Sequence, residues 1–209
     1  MNLSELEAIV MARADESATS PVYWTSADVQ HALQEGYQCI SEASEWYETN
    51  ETYGLTDGLM YHNLQLLLDK VPLRVTSVWN TQTNRWLTPC SVRDLDREIH
   101  KWEEIGGEPE QWFIRGVWTL GLFPIPDDTG GTITIYHTAL PAALTTTTEP
   151  GFPGEFQYGL IHYALYELFG QEAETREALR HWDIYEGYEK ALKRWVDHRT
   201  VEHVGGWRA

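Results

Sequence analysis

The histidines are the side chains of this sequence best suited to metal chemistry, and their spacing does not assemble a metal site. No His-Glu-x-x-His pattern of a zinc enzyme occurs among them. His181 and Asp183 are two residues apart and would diverge on a helix. Surface positions explain the eight histidines better than metal ligation, so we expect no metal site: His31, His62, His100, His137, His162, His181, His198 and His203.

The patterns of nucleophilic and phosphate-binding sites are missing too. Cys39 lies within a predicted helix with no histidine in register, and no Gly-x-Ser-x-Gly elbow occurs. Gly130-Gly131 belongs to a predicted hairpin turn and no lysine follows it, as a phosphate loop would require. We therefore expect no catalytic residue, no cofactor and no enzymatic activity. Cys39 and Cys90 lie far apart, which favours buried free thiols in a reducing cytoplasm.

The charge balance argues against a protein that grips DNA. The chain carries 32 acids against 15 bases, a net charge of −17, and no dense basic cluster. Tight nucleic-acid binding needs lysine and arginine to replace phosphate counterions. An acidic surface instead lets DNA pass without sticking, and the acid-rich segment 94–110 is one candidate for such a surface. Plain solubility is the alternative explanation of the acids.

Helical periodicity marks both ends of the chain. Apolar residues recur at helical spacing in the segment 3–14, and Thr25-Ser-Ala-Asp28 forms a capping box before a helix that extends to about Tyr47. Near the C-terminus, helices are predicted over 156–169 and 172–199, and the residues 200–209 are expected to be a mobile tail. No uninterrupted apolar stretch is long enough to span a membrane.

The middle of the chain changes to the alternating periodicity of strands. Strands are predicted from Pro72, on both sides of Gly116, and over Thr132–Thr138, with a hairpin turn over 80–84 and a short helix over 91–105. The predicted fold class is α+β: a helical bundle from the N- and C-terminal helices with an inserted antiparallel β region. We expect one domain over 1–209, composed of N-terminal helices (1–50), the β insertion (54–140), C-terminal helices (154–199) and the tail.

The aromatic residues leave two other functions open. The chain has ten tryptophans and eleven tyrosines, which fill cores or lie at interfaces in soluble proteins. One alternative is a carbohydrate-binding module that uses Trp79, Trp86, Trp112 and Trp118 as stacking platforms. Another is a small acidic hydrolase. Neither alternative explains the helix pairs on both sides of the β region.

The order of the segments, taken together, resembles a known family. The segments that carry the resemblance are Val71-Pro-Leu-Arg-Val75, the step from Leu87 to Trp102, Gly107-Glu-Pro-Glu-Gln-Trp112, Leu122-Phe-Pro-Ile-Pro126, and Thr134-Ile-Tyr136 leading through Pro141 to the terminal helices. In this order they resemble the head-to-tail adaptor (neck, or head-completion) proteins of tailed bacteriophages, from about Leu6 to Arg199. Each segment alone is common, and the order is what distinguishes them.

The resemblance implies a structural virion protein made in the bacterial host cytoplasm and placed at the neck, without catalytic residues. Its partners would be the portal protein, tail, tail-terminator or nozzle proteins, and further copies of itself in a homo-oligomeric ring, dodecameric if it follows the portal. Double-stranded DNA would pass through the ring during packaging and ejection. By analogy the C-terminal tail would dock on the portal, through Thr200, Val201, Val204 and Trp207.

Overall fold

The computed structural model divides the chain into two compact units. It describes residues 1–15, 23–70, 72–127, 131–172 and 174–205, with side chains as far as Arg199. One unit is helical and joins the two ends of the chain, Met1–Tyr47 and Pro141–Ala209, while the other is the β-rich unit Glu48–Leu140. The predicted α+β class, with terminal helices around an inserted β region, is confirmed.

Local sequence signals explain where the helices begin. Asn2 and Glu5 form a capping box at the first helix, and Thr25 and Asp28 form another at the second, so each pair satisfies free backbone amides of the first turn. Ser91 caps the short helix of the β unit by accepting from the Asp94 amide. In chain order the helices are α1 (Leu3–Arg13), α2 (Ser26–Ser44), α3 (Leu64–Leu67), α4 (Val92–Glu98), α5 (Tyr158–Gln171) and α6 (Thr175–Gly205).

The strands of the β unit form two sheets and one short pair. The first sheet has the order β1-β10-β3-β4 and is antiparallel throughout; the second has the order β2-β8-β7-β5; and β6 pairs with β9. The strands are β1 (Glu48–Gly54), β2 (Tyr61–Asn63), β3 (Pro72–Asn80), β4 (Arg85–Trp86), β5 (Thr88–Pro89), β6 (Gly106–Gly107), β7 (Gln111–Arg115), β8 (Thr119–Phe123), β9 (Ile125–Pro126) and β10 (Thr132–Ala139).

The helical unit is built around α5, which packs against α1, α2 and α6. Its core side chains recur at helical spacing, and Leu160, Ala164 and Leu168 of α5 are fully buried. Gly36 of α2 lies against the Tyr163 ring, because a Cβ there would come within 2.8 Å of it. The close approach of α2 to α5 thus depends on a glycine in the middle of a helix.

The long loop before α5 is held against the same bundle. The Gln34 side chain donates to the Leu144 carbonyl at 2.6 Å and accepts from the Leu144 amide at 3.0 Å. The Leu3 amide donates to the Thr145 carbonyl at 3.1 Å. These bonds tie the loop to α1 and α2, and Leu144 and Phe152 of the loop are buried in the core of the unit.

The two sheets of the β unit pack face to face. Val78, Ile133 and Ile135 of the first sheet and Leu120 and Leu122 of the second are fully buried in one shared core. The opposite face of the second sheet is covered by α4 and by the 3₁₀ turn Trp102–Glu104, in a smaller core with Leu95, Trp102, Phe113 and Phe123. The unit is therefore a sandwich with a helical cover on one side.

Three features of the β unit differ from the prediction. The insertion begins at Glu48 rather than 54, because β1 pairs with β10 along its whole length. The short helix ends at Glu98 rather than 105, where Ile99 is extended and Lys101 takes a left-handed conformation. The sheets are not wholly antiparallel either, since β5–β7 and β6–β9 are parallel pairs and α4 forms the crossover between β5 and β7.

Candidate functional site

The C-terminal helix is longer than the sequence predicted. Its backbone continues past Arg199 to Gly205, because residues 200–204 contain no helix breaker before the Gly205-Gly206 pair. The predicted docking residues Thr200, Val201 and Val204 thus lie on the backbone of α6, but their side chains are outside the described residues. Trp207 lies outside them entirely.

The exposed side of α6 carries mainly basic charge in an otherwise acidic chain. Arg176, Arg180, Lys190 and Arg194 recur at helical spacing and are all exposed, with Asp183 between them and Asp197 after the last. Leu179, which the sequence placed on the apolar face, is 55% exposed beside this row of charges. Ion pairs within the helix partly balance the row, Arg180 with Glu177 at 3.6 Å and Lys190 with Glu186 at 2.7 Å.

The structure brings together two histidines that lie far apart in the sequence. His162 of α5 and His181 of α6 lie with their Nδ1 atoms 2.8 Å apart, and both rings are half-buried. The His181 ring stacks on Phe169 and the His162 ring on Tyr188. The two positions lie at similar distances from the connection between α5 and α6, so the antiparallel hairpin brings them side by side. Sequence spacing alone does not indicate this pairing.

A neighbouring arginine indicates which ring nitrogens of this pair carry the protons. A guanidinium can only donate hydrogen bonds. The Arg13 side chain of α1, whose Nη1 atom lies 3.4 Å from His162 Nε2, is therefore the donor of this bond. Neutral His162 then carries its proton on Nδ1 and donates to His181 Nδ1, whose own proton is on Nε2. A second proton on either ring would break one of these bonds. Burial, reinforced by His181 and Arg13, lowers the pKa of His162 to about 4, and burial together with Arg180 lowers the pKa of His181.

Acid is therefore expected to destabilise the helical unit through this pair. Unfolded histidines bind protons near pH 6.5, whereas the folded pair stays neutral, so its contribution is complete above pH 6.5 and falls as the pH drops toward about 4. A fully titrating group changes the free energy of unfolding by ~1.4 kcal/mol per pH unit. Because both rings are only half-buried, we expect the pair to change it by well under that amount.

Thermal melts between pH 7.5 and pH 5 would measure the effect, since most carboxylates stay ionised over that range. The matched control is the His162→Gln/His181→Gln double variant, which should lose part of the dependence on pH. Equal slopes for the wild-type chain and the double variant would contradict a neutral pair. The buried His62 and His137, whose pKa values burial also lowers, are present in both proteins.

The tryptophans proposed as a sugar platform do not share one surface. Trp79 and Trp86 pair across β3 and β4, with ring centroids 4.8 Å apart. Trp112 is buried in the sandwich core, and Trp118 lies at the turn of the β7–β8 hairpin in the other sheet. Tyr136 of β10 lies beside Trp86 instead, with ring centroids 5.3 Å apart. Two of the four tryptophans named for carbohydrate binding, Trp79 and Trp86, thus lie on one face.

The cysteines and the possible metal ligands form no common site among the described residues. Both cysteines are free; burial raises the pKa of each thiol, and Cys39 donates to the Tyr163 hydroxyl at 3.6 Å. Within the described ranges no group of three or more His, Cys, Asp or Glu side chains is placed to hold a metal ion. The same part of the chain has no helix that is long and apolar enough to cross a membrane.

Comparison with known proteins identifies a family for this chain. The model of a protein family described as SU10 adaptor protein matches residues 1–203. The match covers both helical ends and the β unit between them. No curated protein matches the chain.

Proposed function

Because the chain belongs to the SU10 adaptor protein family, we propose that it joins the portal of a phage capsid to the tail. At the coarser level the chain is a structural adaptor of a bacteriophage and a component of its virion. The observation that carries the proposal is the family match over residues 1–203. Exposed apolar and charged side chains among the described residues support a role in protein–protein contacts. Imaging of the neck in whole particles tests the proposal.

The proposed arrangement is a closed homo-oligomeric ring, with twelve copies if the ring follows the symmetry of the portal. The portal would contact one side of the ring, and tail or tail-terminator proteins the other. Docking on the portal is assigned to the C-terminal end of α6 and the residues beyond it, including Trp207. The backbone of α6 continues to Gly205, which supports placing Thr200, Val201 and Val204 on one helix for this contact.

The ring would form part of the channel through which DNA is packaged and ejected. A net charge of −17 per copy gives a ring a strongly negative potential, so passing DNA would find few phosphate partners. The segment 94–110 remains the candidate for the channel surface. Its bases are largely paired, Arg97 with Glu98 at 3.0 Å and Lys101 with Glu104 at 3.1 Å, which leaves a net acidic surface.

The isolated protein is therefore expected to show negligible affinity for duplex DNA, even at low ionic strength, where electrostatic attachment is strongest. A fluorescence anisotropy titration with a labelled duplex would measure this. The matched variant is Arg180→Glu/Arg194→Glu, which removes basic charge from α6 and should leave the signal unchanged. Tight binding that weakens with salt, and that this variant abolishes, would contradict the proposal and make the basic row of α6 a DNA contact.

A further inference from the structure

One face of the β-sandwich lacks the cover that the other has. The second sheet is shielded by α4, whereas within the described part of the β unit no hydrophobic cluster forms over the outer face of the first sheet. The rings of Trp79, Trp86 and Tyr136 lie together on that face, and Trp86 is 56% exposed. We call these three residues the aromatic face. Exposed tryptophan and tyrosine in one patch are typical of a protein interface.

A second apolar surface of the same unit projects from one end of the second sheet. Val117, at the turn of the β7–β8 hairpin, is 72% exposed, and Ile114 is 39% exposed. The Leu64 amide donates to the Trp118 carbonyl at 2.8 Å, so α3 lies at this same end, and its Leu66 is 83% exposed. We call Leu66, Ile114 and Val117 the apolar tip. Three exposed apolar side chains at one end of a sheet mark a candidate interaction surface.

The distribution of charge indicates what that partner is. The chain has 32 acids, yet none occurs from Val71 to Arg93 or from Gln111 to Pro126, the segments that hold Trp79 and Trp86 of the aromatic face and Ile114 and Val117 of the apolar tip. Two acids of neighbouring segments are engaged in hydrogen bonds, since Glu48 accepts from Thr76 at 2.9 Å and Glu103 accepts from Tyr61 at 3.1 Å. Two copies of a chain with net charge −17 repel each other, except where surfaces of low negative charge meet.

We propose that the apolar tip of one copy packs on the aromatic face of the next copy. The two patches lie on different parts of the same unit, the aromatic face on the first sheet and the apolar tip on α3 and the β7–β8 hairpin. A contact between different patches is heterologous, and repeated around an axis it generates a ring when the rotation closes. The inference rests on the proposed adaptor ring and names the surfaces that would hold it together.

Paired cysteines test the contact directly. The double variant Trp86→Cys/Val117→Cys, treated with a short bismaleimide, should give a ladder of covalent oligomers, both in concentrated protein and in assembled particles. Each single variant should remain mostly monomeric, because a heterologous contact never brings two copies of one patch together. The matched control is Trp86→Cys/Leu179→Cys, since Leu179 is also exposed but belongs to neither patch. The wild-type chain measures background from Cys39 and Cys90.

The pattern of crosslinked products shows which surfaces meet. A ladder from the Trp86→Cys/Val117→Cys chain alone supports it. Dimers from Trp86→Cys alone would mean that aromatic faces meet each other in a two-fold contact, which overturns it. Particles that contain the chain at the neck but give no ladder overturn the inference while the adaptor function stands. Particles that lack the chain overturn the adaptor function, and the proposed ring contact with it.

Discussion

Replacing Gly121 with alanine is expected to destabilise the β unit by about 3 kcal/mol, the upper range for overpacking in a core. Gly121 of β8 lies directly opposite Phe113 of β7, and a Cβ at Gly121 would come within 2.2 Å of the Phe113 ring. That ring cannot swing away, because it is 1% exposed and Trp102 packs edge-on against it, with centroids 5.5 Å apart. The substitution should therefore displace the helical cover from the second sheet.

Chemical denaturation followed by near-ultraviolet circular dichroism would measure this loss, since the affected core is rich in aromatic rings. The matched control is Gly187→Ala in α6, where a Cβ meets no atom within 4 Å. That change should stabilise the helical unit by up to ~1 kcal/mol, because alanine is the better helix former. A Gly121→Ala protein as stable as the wild type would contradict the packing described for the second sheet.

Removing the last residues of the chain is expected to abolish head–tail joining without unfolding the protein. Burial of one tryptophan side chain is worth up to ~3 kcal/mol, about a hundredfold in affinity for each subunit. A ring multiplies that loss through avidity. We expect a chain without residues 206–209, which lacks Trp207 but keeps the backbone of α6, to melt at the wild-type temperature and yield at least a hundredfold fewer joined particles.

Complementation of a phage that lacks the wild-type chain would measure the yield. Trp207→Ala isolates the role of the indole, and Leu179→Ser is the matched control, because it alters an exposed apolar side chain of the same helix far from its end. Full yield from the truncated chain would show that these residues have no docking role.

Local signals in the sequence were enough to predict the elements that fix their own geometry. The capping box at Thr25 places the start of α2, and Gly116, at a φ of 68°, marks the β7–β8 hairpin. Strand β10 was predictable because its β-branched and aromatic residues alternate between the core and the other face of the sheet. The α+β class follows from these elements alone.

Features that depend on distant partners could not be predicted in this way. Strand β1 (Glu-Thr-Asn-Glu-Thr-Tyr-Gly) lies at a sheet edge with little burial, so it shows no apolar alternation, and only its pairing with β10 makes it a strand. The parallel pair β5–β7 needs the α4 crossover to bring it together. The His162–His181 pair and the aromatic face likewise join residues that are far apart in the sequence and whose types give no sign of a partner.

Imaging of the neck in whole particles, at a resolution that traces α6 and the sandwich, tests the adaptor role most directly. The proposed function predicts a closed ring of this chain between portal and tail, with the C-terminal end of α6 against the portal and DNA passing through the bore. Finding the chain on a capsid face or in a tail fibre, or finding portal and tail in direct contact without it, would contradict the proposed function.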